Sequence, residues 1–516
     1  MNTVVALSTI KAPSIAYFGL SPMLILLGAA CVGILVEAFA PRHARQTLQV
    51  VLALGALVAS LVMVVLVAGM QATTAAAAIA VDGPALFLEG SIAVLGIASV
   101  FLIAERSLDS TSAFVASAAI TAGSPADQRL STSPYSQTEV FPLTLFALGG
   151  MMLFASANNL LLMFVALEIL SLPLYLMAGL SRRRRLLSQE SAVKYFLLGA
   201  FASAFFLYGV ALLYGYADSV QLRGIFDAAA AGRNNDLLLY LGLAMLIIGL
   251  MFKAGVAPFH SWSPDVYQGA PTGVTALMAA CTKVAAFGAI LRVLYVAFAN
   301  TRWDWRPVIW AIAIITMVVG SVLALTQTDI KRLLAYSSVA NAGFILTGTV
   351  AMTRNGVSST MFYLLTYGFT TIGAFALVTL VRNADGEAWH LSQWAGLAKR
   401  SPLFAATFTF FMLAFAGIPL TSGFTSKFAV FSAAIGGGAT PLVIVGVIAS
   451  AVIAFPYLRV VVLMYLSDPA PDGPRVSVPG TFTTATLALG VLVTLVLGIA
   501  PQLLLDLAHN ASVFVG

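Results

Sequence analysis

Continuous apolar runs dominate the chain, separated by short clusters of Gly, Pro, Ser, Asn, Asp or basic residues. A run of about 20 apolar residues has the length of a membrane-spanning α-helix. Such runs centre near residues 27, 58, 95, 148, 170, 202, 247, 286, 315, 340, 370, 418, 453 and 492, which predicts about fourteen spans. A transmembrane β-barrel would instead need shorter segments of alternating polarity. The longest polar stretches, 106–138, 217–236, 382–401 and 467–479, are Gly-, Ser-, Pro- and Asp-rich connectors. None reads as a soluble domain.

Composition agrees with the pattern. Of 516 residues, 60% are hydrophobic and only 9% are charged, against about 25% charged in a soluble domain. The fold class is therefore all-α integral membrane, a single polytopic domain over residues 1–516. A net charge of +6 raises nucleic acid as a partner. The positions of the basic residues argue against it and for a lipid bilayer, because they sit in short loops between spans. With the N-terminus outside, the inner connections hold Arg42, Arg45, Arg106, Arg129, the four arginines 182–185, Lys331, Arg332, Arg382, Lys399, Arg400, Arg459 and Arg475. The outer ones hold Lys11, Arg223, Arg233, Arg302, Arg306 and Arg354. Fifteen against six places both termini on the outer face. The first ten residues lack a basic leader and a cleavage site, so the first span is expected to direct insertion. Cys31 and Cys281 lie in separate apolar runs with no pairing or metal-ligand spacing. They read as packing residues.

Six charged residues remain inside the apolar runs: Glu168, Lys194, Lys253, Lys283, Arg292 and Lys427. A charge at the bilayer centre costs at least ~2.5–3.5 kcal/mol on insertion scales, so each needs a compensating role. Glu168, in "NNLLLMFVALEILSLPLYLMAGL", is either a helix-locking partner for a cation or part of an ion path; the number of buried cations favours the path. Lys194 follows Glu190 by four residues, the spacing of a helix-surface ion pair, and a snorkelling lysine is its bland reading. Lys283, in "ALMAACTKVAAFGAI", has no partner nearby in sequence. Arg292 reads as an interface anchor.

The stretch "MFKAGVAPFHSWSPDVYQGAPTG", 251–273, sets Lys253 beside Gly255 and Pro258. A proline within a helix removes a backbone donor and clashes with the preceding turn. Broken backbone survives at membrane depth only beside protein or a water-filled cavity. Lys253 at such a break is the most specific functional signal in the chain. His260 lies in the same stretch and serves equally well as a backbone partner or a proton shuttle. Asp265 reads as the start of the next segment. The stretch "FAGIPLTSGFTSKF" repeats the device, with Pro419 and Gly423 marking a break before Lys427. The two Ala-Gly pairs lie about 160 residues and five spans apart, so they cross the membrane in opposite directions. That arrangement is expected of two inverted five-helix repeats, each containing a broken helix. The repeats are placed at 139–300 and 301–466, after N-terminal helices at 1–138 and before a C-terminal helix at 467–516. Ser337, Ser338 and Thr347 can wet a path or bond their own helix backbone. Desolvation favours the neutral amine of a buried lysine and a nearby carboxylate favours the ammonium. A series of such lysines is suited to pass protons.

"KAGVAPFHSWSPDVYQGAPTGVTALMA" and "DIKRLLAYSSVANAGFILTG" resemble the antiporter-like membrane subunits of respiratory complex I, the proton-pumping NADH:quinone oxidoreductase. These are relatives of the subunits of multisubunit Na⁺/H⁺ antiporters. The resemblance extends over roughly residues 140–466. "PDVYQGAPT", together with Lys427 where M-type chains carry glutamate, resembles the N-type branch. The resemblance implies a proton relay made of Glu168, Lys194, Lys253, Lys283 and Lys427. In it Glu168 pairs with Lys253 to gate uptake, and Lys283 passes charge towards Lys427. It also implies K- and M-type neighbours in a bacterial plasma membrane. NADH, FMN, iron–sulfur clusters and quinone would be held by partner subunits. This chain offers neither a Gly-rich nucleotide loop nor a cysteine set for a cluster. Related chains often carry histidine where this one has Asn341, which cannot titrate. Two other readings stay open: a component of a multisubunit Na⁺/H⁺ antiporter, and a structural subunit whose charges merely lock helices.

Overall fold

Asp82 accepts the backbone N–H of Ala85 and starts the third span, Gly83–Ala104, with Pro84 in its first turn. Asn159 does the same for the fifth span, Leu160–Ala178. Asp329 starts the tenth, Ile330–Thr349, and Thr353 the eleventh, Arg354–Val378. Short polar side chains at these positions satisfy orphan helix N–H groups and fix where the apolar runs begin. The computed structural model describes residues 14–108, 112–132, 137–232, 236–383, 386–469 and 473–515. Lys11 and Arg233, both used above for orientation, lie outside the described residues.

The remaining spans are Tyr17–Phe39, Arg42–Val67, Val140–Ser156, Arg185–Ala217, Thr272–Ala297, Arg302–Leu325, Thr440–Leu466 and Thr481–Ile499, together with two broken ones. The seventh span consists of Asp236–Ala254 and Trp262–Gly269, and the twelfth of Pro402–Ala416 and Ser422–Gly436. Thirteen of the fourteen expected centres fall within these helices. The other, 418, falls in the break of the twelfth span.

Both breaks begin at a glycine in the left-handed region, Gly255 at φ +69° and Gly417 at φ +83°. A glycine there ends a helix without the steric cost of a Cβ. The second break therefore lies at 417–421, earlier than Gly423 had suggested. Gly423 is helical, and a Cβ on it would lie 1.8 Å from the Ala414 carbonyl oxygen. It is small so that the two half-helices can approach, not to make a turn.

The eighth span is buried along its whole hydrophobic length and the eleventh almost so, whereas the fourteenth is mostly exposed. Small residues such as Ala279, Ala280, Ala285, Ala286 and Gly288 let the eighth span sit at the centre of the bundle. The connectors carry more structure than their polarity suggests. Ala72–Thr74 pairs antiparallel with Ile79–Val81, and Val381–Asn383 lies between Gly386–Glu387 and Arg475–Val476 in a three-stranded sheet. These small sheets satisfy loop backbone groups where the chain leaves the bundle.

Candidate functional site

The first half-helix of the seventh span carries Lys253 in its last turn. Its ammonium is buried and donates to Ser171 Oγ at 2.8 Å and to the Tyr195 hydroxyl at 3.2 Å. The Tyr195 and Tyr175 ring centroids lie 5.3 and 5.8 Å from Nζ, and Tyr195 stacks on Trp262 at 4.7 Å. Trp262 in turn donates to the Phe252 carbonyl across the break. The aromatic faces partly replace the water that burial removes.

Glu168 does not pair with Lys253 directly. Its Oε1 accepts from Ser203 Oγ at 2.6 Å, and no ion pair joins it to Lys253 among the described residues. Ser171 stands three residues after Glu168 on the same helix, and Ser171, Ser203 and Lys253 line one small cavity about the size of one water. The expected pair is thus a carboxylate and an ammonium separated by two serines.

Lys194 is placed differently. It is partly exposed, at 40%, and bonds Glu190 at 2.5 Å and Asp265 at 2.6 Å. Asp265 also receives Arg332 at 2.6 Å, and Arg332 reaches Gln268. Lys194 therefore belongs to an ion-pair chain at the rim that ties the sixth, seventh and tenth spans, apart from the buried lysines. Asp265 is more than the start of a segment, because it joins two cations.

Lys283 is buried, and its ammonium donates to the Ala254 carbonyl at 3.0 Å, at the end of the half-helix that carries Lys253. Lys427 donates to the Phe415 and Ala416 carbonyls at 2.9 and 3.1 Å and to Ser450 Oγ at 2.8 Å. Each lysine thus caps the C-terminal, negative end of the first half-helix at its break. In this respect the counterpart of Lys427 is Lys283 rather than Lys253. Lys331, assigned above to an inner loop, is fully buried and donates to the Ala270 carbonyl at 2.8 Å, just past the second half of the seventh span. Sequence placed it in a loop because it is the second residue of its span.

His260 lies in the turn of the first break. Its ring centroid is 6.2 Å from that of Tyr336, and its Nδ1 has no hydrogen-bond partner among the described residues. Between the breaks runs a file of buried polar groups. Tyr363 donates to Asn341 Oδ1 at 2.7 Å, Asn341 donates to the Ser337 carbonyl at 2.8 Å, and the Ser337 and Tyr457 hydroxyls are 2.5 Å apart. Thr366 and Ser426 are bonded at 2.6 Å, and Ser426 precedes Lys427. Asn341, Tyr363, Thr366, Phe415 and Ser422 line a second small cavity. Asn341 thus keeps a polar place without a titratable group. Thr347 instead bonds the Gly343 carbonyl of its own helix.

Arg292 is not an interface anchor. It is wholly buried and holds both carboxylate oxygens of Asp82, at 2.7 and 2.9 Å, and the Ala155 carbonyl at 3.1 Å. Asp82 Oδ2 also accepts the N–H of Val515 near the C-terminus. Asp82, Tyr363, Tyr457 and Lys331 escape a search for charges inside apolar runs, because they stand at span ends or are uncharged. Glu89 escaped it too, although it lies inside an apolar run as Glu168 does.

Residues 157–453 match the family described as NADH:quinone oxidoreductase/Mrp antiporter, TM. The chain is 60% identical over 527 residues to NADH-quinone oxidoreductase subunit N of Rhodococcus opacus (strain B4), covering 98% of each. It is 62% identical over 508 residues to the subunit N of Parafrankia sp. (strain EAN1pec), covering 98% of this chain and 97% of that one. Among solved structures, a chain of respiratory complex I from Thermus thermophilus is similar at TM-score 0.76 and 34% identity, over 95% of this chain and 99% of that one. A chain of the Mrp complex from Dietzia sp. DQ12-45-1b shares the fold at TM-score 0.78 and 22% identity, over 96% and 97%.

Proposed function

The chain belongs to the NADH:quinone oxidoreductase/Mrp antiporter family of membrane proteins, and from that premise we propose that it is a proton-translocating, N-type membrane subunit of a bacterial NADH:quinone oxidoreductase. The observation that carries the reading is the pair of broken helices with buried lysines at their ends: Lys253 and Lys283 at the first, Lys427 at the second. The oxidoreductase reading is preferred to the antiporter one by the subunit N relatives at 60% and 62% identity.

In the proposed path a proton enters near Glu168 and crosses the serine-lined cavity to Lys253. Movement of Glu168 towards the cavity favours the ammonium, and movement away favours the neutral amine. Lys283 touches the carbonyl of Ala254, the residue after Lys253. A shift of that half-helix therefore changes the surroundings of both lysines. From Lys283 the charge passes along the Asn341–Tyr363 and Thr366–Ser426 groups to Lys427. Lys194 and the Asp265–Arg332 pair attach the rim of the sixth span to the break, so Lys194 acts by positioning. His260 is placed to hold a water in the break.

The redox steps belong to other subunits, which hold NADH, FMN, iron–sulfur clusters and quinone. K- and M-type subunits are the proposed neighbours. The two inverted repeats are taken as 139–300 and 301–466, with both termini on the outer face. Affinity purification of the tagged chain from its native membrane tests the reading. Recovery of NADH-driven quinone reductase activity with the chain is the expected result. Recovery of a cation antiporter without that activity would transfer the chain to the other branch of the family.

A further inference from the structure

We propose that Glu89 is a further proton-holding group of this chain, a carboxylic acid on a branch from Lys283 to the membrane face where Asp82, Arg292 and the C-terminus meet. The proposal deepens the proton-translocation reading and rests on it.

Glu89 lies in the third span, seven residues beyond Asp82, which is about 10 Å deeper at the helical rise. Its side chain is 2% exposed, and Oε2 has no hydrogen-bond partner among the described residues. The charged groups that face it are Asp82 and Arg292, and its hydroxyl neighbour is Ser156 at the end of the fourth span. None of these suits an ionised carboxylate. Arg292 already gives two N–H groups to Asp82 and a third to the Ala155 carbonyl. Asp82 carries the same sign as an ionised Glu89. The Ser156 hydroxyl donates its one proton to the Met152 carbonyl at 2.7 Å. Towards Glu89 it can therefore only accept, and a hydrogen bond between them needs the proton on Glu89.

A buried carboxylate with no cation to itself is disfavoured by desolvation, and adding a proton relieves that cost. Ionisable side chains inside a membrane bundle mark ion paths more often than structure. Depth supports the same reading. Leu88 packs against Gly288, which lies five residues after Lys283 and four before Arg292. Glu89 thus stands between the level of Lys283 and that of the Asp82–Arg292 pair.

The step is a pair of proton transfers. The Glu89 carboxyl loses its proton towards the Asp82–Arg292 face and becomes a carboxylate. The Lys283 ammonium then returns one proton to it through water and becomes an amine. No electron moves and no covalent bond other than those to the proton changes.

Glu89→Gln and Glu89→Asp, made in the intact complex in its native membrane, test the proposal beside Lys253→Ala. Two quantities are read: infrared absorption of protonated carboxyl groups, with its shift in heavy water, and NADH-driven proton translocation. The wild type should show a carboxyl band that Gln removes and Asp displaces. The Gln variant should assemble, since an amide matches the shape and neutrality of the acid, and translocation should fall about tenfold or more. Asp should restore part of it. Failure of the Gln variant to assemble, a carboxyl band untouched by Gln, or wild-type translocation in Glu89→Gln while Lys253→Ala is inactive would each overturn the proposal alone. Wild-type translocation in Lys253→Ala as well would overturn the relay on which it rests.

Discussion

The Glu168 carboxylate and the Lys253 ammonium are held by two different serines, Ser203 and Ser171, that line the same small cavity. The pair is therefore adjustable. Neither group is neutralised by direct contact, and a water or a small helix shift changes what each one feels. Ser203→Ala removes the hydroxyl held by Glu168, and Ser171→Ala removes one held by Lys253. Each should slow NADH-driven proton translocation severalfold without loss of assembly. The double variant should depart from additivity by about 0.5–3 kcal/mol, the range for residues that share one network. Strictly additive effects on the translocation rate would mean that the cavity does not couple the two groups.

Lys427 has a positional role and a proton role, and substitution separates them. Arginine keeps the positive charge at the Phe415 and Ala416 carbonyls but cannot give up its proton. Methionine loses both functions. Lys427→Arg should assemble and lose proton translocation. Lys427→Met should lose translocation and also soften the second break, by up to about 2 kcal/mol for a partly buried cation at a helix C-terminus. Thermal melting of the purified complex reads the second effect. Full translocation in Lys427→Arg would show that only the charge matters.

The Asp82–Arg292 pair should behave as a structural clamp, because it joins the start of the third span, the end of the eighth and the backbone at Val515. Removing one partner from a buried pair costs about 3–5 kcal/mol, since the other charge is stranded. Arg292→Met should therefore lower the amount of assembled complex. The double variant Asp82→Asn with Arg292→Met should recover much of it. Quantitative blotting of the complex in membranes distinguishes the two.

How much of this was legible in the chain follows from which forces act locally. Helix number and place were readable because a span has to be apolar over its own length. The lysine-bearing breaks were readable because Gly255, Pro258 and Pro419 disturb a helix wherever it packs. Partners were not readable. Lys253 and Glu168 are 85 residues apart in sequence, and only packing of three spans shows that serines stand between them. Lys331 looked like a loop cation because its burial depends on the Ala270 carbonyl and the Trp389 ring, 4.6 Å from its ammonium. Arg292 looked like an anchor because its counter-charge, Asp82, lies 210 residues away.

Glu105 supplies a dependence on pH outside the membrane. It follows the third span and accepts from the backbone of Arg106, Ser107 and Thr483, which ties that span to the start of the fourteenth. Partial burial raises its pKa, but the hydrogen bonds from Ser107, Thr483 and Arg106 outweigh burial and hold the carboxyl below its ordinary value of 4.5. A depressed carboxylate contributes its full stability above the unfolded value and loses it as pH falls through the folded one. Thermal stability should therefore drop on acidification below about pH 4.5, and Glu105→Gln should flatten part of that drop. An unchanged slope in the variant would remove Glu105 from the acid response.

Lys253→Ala in the native membrane addresses the central claim most directly, with assembly, NADH-dependent quinone reduction and the proton gradient measured on the same preparation. The account predicts an assembled complex in which reduction and the gradient fall together, by about tenfold or more. An assembled complex that keeps the wild-type gradient per quinone reduced, or one that fails to assemble at all, would contradict it.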